Sequence, residues 1–242
     1  MKALEGIESA LLEIGVLAAG ESLSDAEAQD ALSSLNRMID GWGTERQTIY
    51  AVTRNVHNLV ASKQTYTLGT GGDFNQVRPV WIERAGTILD KTAGNLLEPP
   101  LEILTVEEWA RITVKATEST YPQRLYYDKS WAAGLGNVSL YPVPDNANGQ
   151  AVLYTPTAVA EFANLSTTDY TFPPGYRDAL VYKLAVRLGP MFGRTASPDT
   201  REQANEYFGR IKDANSDDSA LRCDPALVGD IGSSRYNWYT DE

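Results

Sequence analysis

The fold is decided by the stretch FPPGYRDALVYKLAVRLGP, which spans residues 172–190. Its two prolines end an extended segment and preset the backbone for a helix start. Apolar side chains then recur every three or four residues, which gives a helix one apolar stripe, at Tyr176, Leu180, Leu184, Leu188 and Met191. Gly189-Pro190 bends or ends this helix. The stretch lacks residue types typical of catalysis, so we interpret it as an architectural central helix.

Amphipathic helices are also predicted towards both ends of the chain. Apolar residues at steps of three and four predict a first helix over residues 3–18. Ser24 and Glu27 form the capping box of a second helix, which ends near residues 41–43. The short connection between them favours an antiparallel hairpin. Ser197-Pro198 begins a further helix, with serine as its cap and proline in its first turn.

The middle of the chain reads as short strands separated by residues that favour turns. Strands are predicted at 65–68, 80–85, 101–104, 124–128, 138–142 and 151–154, and residues 69–73 are predicted to form a hairpin tip. Thr105 and Glu108 form a second capping box that opens a short helix. The regular spacing of the strands favours an antiparallel sheet or a small sandwich.

We therefore expect an α+β fold that is mainly α. A helical hairpin over residues 1–48 and the central and C-terminal helices over 169–212 form one helical body. An antiparallel β-rich region over residues 49–168 is inserted between them. Residues 213–242 form an extended C-terminal arm.

Composition and charge limit the classes of partner. The chain has 242 residues and a net charge of −11, which argues against wrapping nucleic acid by neutralising its phosphates. The same charge suits a wall past which DNA slides without binding. No apolar run approaches the roughly 18 residues that span a bilayer, and the start of the chain lacks the apolar core of a signal peptide, so no membrane partner is expected. The single cysteine, Cys223, excludes an internal disulfide and fits a reducing compartment.

Residues that carry chemistry are sparse. His57 is the single histidine and has no nearby serine or cysteine motif, and the glycines at 69–72 lack the lysine of a phosphate-binding loop. One histidine and one cysteine do not make a usual zinc site. Asp213, Asn215 and Asp217 match the first positions of a calcium loop, but Asp218 stands where that loop needs glycine, which favours a solvated acidic linker. We expect no catalytic residue, cofactor or metal, although two carboxylates distant in sequence remain an open alternative.

The C-terminal arm shows no periodicity over about thirty residues, so it is either disordered or lies on a partner. Its aromatic side chains favour a partner, because such side chains often anchor interfaces. The candidate contact residues are Leu221, Arg222, Leu227, Ile231, Tyr236, Trp238 and Tyr239.

The order of the motifs resembles one known family. The motifs are IGVLAAGE at 14–21, ALSSLNRMIDGW at 31–42, Arg78-Pro79, LEIL at 101–104, Pro122, LYYD at 125–128, LYPVP at 140–144, and FPPGY at 172–176 followed by Ala179-Leu180 and Leu184-Ala185. In this order, over roughly residues 3–212, they resemble the head-to-tail adaptor, or connector, family of tailed bacteriophages. That family includes tail accessory factors, also called packaged-DNA stabilisation proteins.

The resemblance implies a structural virion protein without enzymatic activity. Such adaptors form a homo-oligomeric ring, usually of twelve copies, under the portal vertex in the neck between capsid and tail, after assembly in the host bacterial cytoplasm. The ring continues the DNA channel and retains the packaged double-stranded DNA, which passes without specific binding. It also provides the attachment site for the tail nozzle or other tail proteins, and the C-terminal arm grips the portal protein.

A ring of acidic chains repels itself, so we expect basic side chains at the subunit boundaries. The candidates are Arg177, Arg187, Arg194, Arg201 and Arg210. Two alternatives remain open. One is a tail-associated cell-wall hydrolase with an acid pair in the β-rich region. The other is an unrelated soluble binding module, which would be expected to stay monomeric.

Overall fold

A computed structural model describes residues 1–18, 20–45, 51–93, 97–157 and 159–215, apart from the side chain of Ala132. The helices are α1 (Ala3–Glu13), α2 (Asp25–Gly43), α3 (Val106–Arg111), α4 (Tyr176–Leu188) and α5 (Pro198–Ala214). The strands are β1 (Ala51–Asn58), β2 (Thr65–Leu68), β3 (Arg84–Ile88), β4 (Pro100–Leu104), β5 (Glu118–Ser119), β6 (Arg124–Asp128), β7 (Gly136–Tyr141), β8 (Val143–Pro144) and β9 (Gln150–Thr157).

The expectation of a mainly α fold is wrong. The chain is a mixed α/β protein, 35% helical and 23% strand, with a large curled sheet. The seven strands of this sheet lie in the order β1-β9-β3-β4-β6-β7-β2, and β5 pairs with β8 in a separate ribbon. The β-rich part was underestimated because β1 carries exposed side chains on both faces along much of its length. It therefore lacks the alternation of apolar and polar residues that predicts a strand.

The expectation of a wholly antiparallel sheet is also wrong, because β4 pairs in parallel with β6. The reason lies in α3, which follows β4 directly and begins a crossover connection to β6. Parallel neighbours need such a crossover, whereas a tight turn would reverse the direction of the chain.

Capping residues predicted the starts of the helices correctly, whereas the apolar periodicity predicted helix ends that lie too far along the chain. The structure confirms both capping boxes and the Ser197 cap. Helix α1 ends at Glu13, well before residue 18, and Gly15 beyond it adopts a φ of 65° that a continuing helix does not allow. Met191 lies outside the apolar stripe of α4 and is 45% exposed, because that helix ends at Leu188.

Two strand-level predictions fail for local reasons. The strand predicted at 80–85 begins only at Arg84. Residues 69–73 do not join two paired strands, because β2 pairs with β7 and not with the strand that follows it. Instead, the loop folds back so that Phe74 bridges Leu68.

Helix α4 occupies the middle of the helical body, where it packs against α1, α2 and α5. Its buried face includes Leu180 and Leu184, which share one core with Leu11 of α1 and Ile39 of α2. Helix α5 also reaches the end of α2, where the rings of Trp42 and Phe208 lie 5.0 Å apart. The sheet has a second core of its own, which includes Tyr66, Phe74, Leu125, Val138, Leu140 and Leu153.

Residues 159–172, which we call the return segment, bring the chain from β9 back to the helical body. Asn36 of α2 holds this segment with two hydrogen bonds. Its Nδ2 donates to the Phe162 carbonyl at 2.9 Å, and its Oδ1 accepts from the Phe162 amide at 2.9 Å. The amide of Leu4 donates to the Leu165 carbonyl at 2.9 Å. The Phe162 side chain is fully buried in the helical core. The return segment thus joins the N-terminal hairpin to α4.

Replacing Asn36 with alanine tests this connection. Both bonds to Phe162 disappear, and a part-buried amide and carbonyl lose their partner, which costs about 2 kcal/mol of unfolding free energy. The measurement is unfolding in urea, monitored by circular dichroism. The matched control is Asn205→Ala on exposed α5, where only a surface contact with Lys183 is lost and a change within about 0.5 kcal/mol is expected. Equal losses in the two variants would contradict the proposed role of Asn36.

Candidate functional site

The five candidate interface arginines all lie in the C-terminal half of the helical body and are all exposed. Arg177 and Arg187 are on α4, Arg194 lies in the connection to α5, and Arg201 and Arg210 are on α5. Arg210 pairs with Glu206 one turn earlier in the same helix. Arg187, Arg194 and Arg201 form no ion pair with any residue that the structure describes. Their place at a subunit boundary stays a prediction, since one copy of the chain does not test it.

Charge is distributed unevenly over the helical body. Residues 1–45, which hold α1 and α2, contain nine acidic and two basic residues, and all the acidic ones except Glu8 are exposed. Residues 176–214, which hold α4 and α5, contain seven basic and five acidic residues. Acidic residues therefore predominate in residues 1–45 and basic residues slightly predominate in residues 176–214, and the two sets meet in an ion pair between Lys212 Nζ and Glu45 Oε2 at 2.6 Å.

The candidate portal-binding residues Leu221, Arg222, Leu227, Ile231, Tyr236, Trp238 and Tyr239 lie outside the described residues, and their role stays a prediction. Of the calcium-loop positions, only Asp213 and Asn215 fall within the described part, at the end of α5. No group of three or more potential metal ligands occurs among the residues described. Within the same ranges, no helix combines the length and apolar character needed to cross a bilayer.

A cavity of about 480 Å³ opens where the sheet meets the helical body. Its walls come from β1, β9, residues 76–80 and the end of α2. Most of the lining is apolar or carries a hydroxyl group, and includes Val77, Pro79, Val80, Thr155 and Val159. Val77 and Val80 are largely exposed at 84% and 49%. A site of this size with an apolar lining and a few polar groups is typical of recognition sites.

Two polar side chains that line this cavity have unsatisfied donors. The Oε1 atom of Gln76 bonds His57 Nε2 at 2.9 Å, while Gln76 Nε2 is buried without a partner. Arg78 Nη2 donates to the Lys129 carbonyl at 2.8 Å, but its Nε and Nη1 are buried without an acceptor. The guanidinium stacks 3.9 Å from the ring centre of exposed Trp131. Buried donors without acceptors are costly, and these nitrogen atoms are covered by the protein itself, so they do not face a ligand in the cavity.

The Arg78 side chain lies beside Tyr127. No carboxylate within the described residues pairs with Arg78. Burial raises the pKa of the Tyr127 hydroxyl, and a hydrogen bond with Arg78 together with the positive charge of Arg78 opposes that rise. That hydroxyl donates to the Pro79 carbonyl at 2.7 Å, which fixes the backbone beside Arg78. The Arg78 guanidinium is therefore enclosed by Tyr127, Lys129 and Trp131, and the lining of the cavity is mainly apolar.

His57 supports this wall from behind. Its ring stacks on Phe74 with centroids 4.5 Å apart, and Phe74 stacks in turn on Tyr66 at 4.7 Å. Burial lowers the pKa of His57, which holds the ring neutral beside Gln76. The structure places the single histidine part-buried in this aromatic stack.

Sequence reasoning missed the cavity. In the sequence, Arg78-Pro79 is part of the motif series that resembles the adaptor family, and Gln76 belongs to no motif. Neither residue lies in a periodic element; Gln76 reaches His57 of β1 and Arg78 reaches Lys129 and Trp131 only through tertiary folding. The lining supplies hydroxyl, amide and guanidinium groups and suits binding. No family model and no curated protein matches this chain.

The buried His57 predicts a pH dependence of stability. Its pKa in the folded protein lies below the usual 6.5, so between these two values the unfolded chain binds more protons than the folded one. The free energy of unfolding therefore decreases as the pH falls below 6.5. Since His57 is the single histidine, its NMR titration is unambiguous and should show a midpoint below that seen in urea.

The matched variant is His57→Gln, which removes the titrating ring and should flatten the pH dependence of urea unfolding between about pH 7.5 and 5.5. Asp73, whose pKa is lowered by its hydrogen bond with Lys63, responds only in more acidic solution. An identical slope for both proteins in this window would count against the burial of His57.

Proposed function

We propose that this protein is a structural head-to-tail adaptor of a tailed bacteriophage. In this proposal, copies of the chain form a ring under the portal in the virion neck, continue the DNA channel, retain the packaged DNA and carry the tail. The observation that carries the proposal is the uneven charge of the helical body, with acidic α1–α2 and basic α4–α5.

Two different surfaces of opposite charge on one chain favour a head-to-tail contact between copies. A contact of this kind is heterologous, and it closes into a ring when the rotation between neighbours allows it. Complementary charge also fixes the register of neighbours and excludes wrong arrangements. The unpaired Arg187, Arg194 and Arg201 are available for acidic side chains of the next copy. This gives a chain of net charge −11 a way to assemble.

The division into two cores supports the same proposal. The helical body has its own core and suits the ring, while the inserted sheet has a second core and suits contacts with tail proteins. In the proposed ring, a chain with a net charge of −11 would favour a channel wall past which DNA phosphates move without binding. The ordered sequence motifs are the remaining support for the family.

Light scattering of the protein with its cognate portal tests this proposal. Full-length protein is expected to join the portal at a copy number that matches the portal subunits. A version ending at residue 215 keeps α5 and the bond from Asn215 Nδ2 to the Tyr176 hydroxyl at 2.7 Å but lacks the arm. It should fail to join the portal while retaining the same melting temperature. If the full-length protein stays monomeric and does not bind the portal, the proposed adaptor function is wrong.

Charge reversal tests the contact between copies. The double variant Arg187→Glu/Arg194→Glu places two negative charges where the neighbour is acidic, so ring assembly on the portal should weaken by about tenfold or more. The control is Arg111→Glu on exposed α3, which changes charge in the same direction away from the helical body. Equal assembly by all three proteins would rule out these arginines as interface residues.

A further inference from the structure

The turn that leads into β9 contains the one Asn-Gly pair of the chain, Asn148-Gly149. Such pairs are common in tight hairpin turns, where both central residues adopt a positive φ. Here neither Asn148 nor Gly149 adopts a positive φ. The strand before the turn, β8, pairs with β5 and not with β9. The usual structural reason for an Asn-Gly pair therefore does not apply to this turn.

The space around Gly149 does not require a glycine either. A Cβ atom at this position would lie 3.4 Å from the Ile88 carbonyl oxygen and 3.4 Å from Leu59 Cδ1. Both distances are ordinary van der Waals contacts. The φ of Gly149 lies in a region that other residues adopt as well. An alanine at position 149 would therefore fit the fold.

The turn leaves two reactive groups of the pair without hydrogen bonds. Asn148 is exposed, and its side-chain amide bonds no residue of the described ranges. The Gly149 amide nitrogen also donates to none of them. The backbone of Asn148, in contrast, is held on both sides. Its amide donates to Asn146 Oδ1 at 3.0 Å, and its carbonyl accepts from the Lys91 amide at 3.0 Å.

Three other asparagines of the same part of the chain differ from Asn148 in two ways. The side-chain nitrogen of each donates a hydrogen bond to another described residue. Each is also followed by a residue with a Cβ atom, which crowds the next backbone nitrogen. These asparagines are Asn137, Asn146 and Asn164.

We propose that Asn148 is a site of spontaneous covalent modification, at which its side chain closes on the backbone and is converted to aspartate and isoaspartate. Asparagine is among the thermolabile residues. The Gly149 amide nitrogen attacks Asn148 Cγ and forms a bond with it. The bond from Cγ to Nδ2 breaks, and Nδ2 leaves as ammonia together with the proton of the attacking amide.

Water then opens the cyclic imide in one of two ways. Its hydroxyl group adds to the carbonyl carbon that is released, and its remaining proton goes to the nitrogen of residue 149. Cleavage of the new bond at Cγ gives aspartate in an ordinary main chain. Cleavage of the original peptide bond gives isoaspartate, in which the main chain runs through Cβ and Cγ. The chemistry needs no partner and does not depend on the proposed adaptor function.

The aspartate product should fit the turn. Lys91 lies beside it, because the Lys91 amide donates to the Asn148 carbonyl and Lys91 Nζ donates to the Ala147 carbonyl at 3.0 Å. The new carboxylate is therefore placed near a cation. Exposed ion pairs contribute little to stability, so the aspartate product should melt close to the unmodified protein.

The isoaspartate product should disturb the start of β9, because it adds one methylene group to the main chain just before Gly149. The Gly149 carbonyl accepts from the Leu59 amide at 3.1 Å, and Gln150 begins the pairing of β9 with β1. The added group displaces these contacts relative to the Asn148 carbonyl, which Lys91 holds. The loss of one such hydrogen bond should lower the melting temperature by about 3 °C.

Ageing of the purified full-length protein in mildly alkaline buffer, followed by digestion with trypsin and mass spectrometry, tests the proposal. Trypsin releases residues 130–177 as one peptide, which contains Asn148 and the three control asparagines. Fragmentation of this peptide locates the converted residue. Asn148 is expected to convert about tenfold faster than any control, or faster still. No conversion at Asn148, or equal conversion of all four asparagines, would overturn the proposal.

A synthetic peptide of residues 144–151 gives the rate of the same reaction without the fold. Since the reacting groups form no hydrogen bonds in the folded turn, the protein should convert at a rate within about tenfold of that of the peptide. Slower conversion of the protein would mean that the fold protects Asn148, and it would overturn the proposal.

Two variants check the chemistry and its consequence. Gly149→Ala keeps Asn148 and should slow its conversion about tenfold, with the melting temperature unchanged. Conversion as fast as in the parent protein would exclude attack by this backbone nitrogen. Asn148→Asp carries the aspartate product alone and should melt within about 1 °C of the fresh parent protein.

The aged protein should contain isoaspartate, which is detected by isoaspartyl-specific methylation, and should melt below Asn148→Asp. Equal melting temperatures of the aged protein and Asn148→Asp would show that the main-chain insertion has no effect and would contradict the predicted disturbance of β9. None of these measurements involves the portal, so a failure of the adaptor function would leave their outcome unchanged.

Discussion

The pair of hydrogen bonds between Asn36 and the backbone of Phe162 is the contact on which the architecture depends. The chain leaves the helical body after α2, builds the whole curled sheet and must come back to place α4. The return segment makes that connection, and the burial of Phe162 among the helices stabilises it. It fixes how the returning chain enters α4, which packs between α1, α2 and α5. Side-chain to backbone bonds of this kind do what periodic patterns cannot, because they fix where two distant segments meet.

This arrangement leaves two surfaces of different character. The helical body has its own core, and acidic residues predominate in its N-terminal hairpin whereas basic residues slightly predominate in α4 and α5. The sheet has a second core of its own and borders the cavity along β1 and β9.

The sequence predicted the elements that carry strong local signals. Ser24 with Glu27 and Thr105 with Glu108 mark helix starts because side chain and backbone satisfy each other within four residues. The apolar stripe of α4 was visible for the same reason. By contrast, β1 was missed since its pairing with β9 spans about a hundred residues and its side chains do not alternate in polarity. The balance of helix and strand was misjudged as a result.

The cavity illustrates the same limit for function. Gln76 and Arg78 lie in an irregular stretch, and their unsatisfied donors exist only because Phe74, His57 and Tyr127 bury that stretch against the sheet. No spacing of residues encodes such a site. The arginines of α4 and α5 are visible in the sequence, whereas only the structure shows that they are exposed and that, among the described residues, Arg210 pairs with Glu206 while Arg187 and Arg201 form no ion pair.

The most direct test of the central claim is electron cryomicroscopy of the protein assembled on its portal. The claim is that neighbouring copies meet through the acidic α1–α2 surface of one and the basic α4–α5 surface of the next. The account predicts a closed ring in which Arg187 and Arg194 lie within ion-pair distance of carboxylates from the adjacent copy. A ring in which these arginines face bulk solvent, or the absence of any ring, would contradict it.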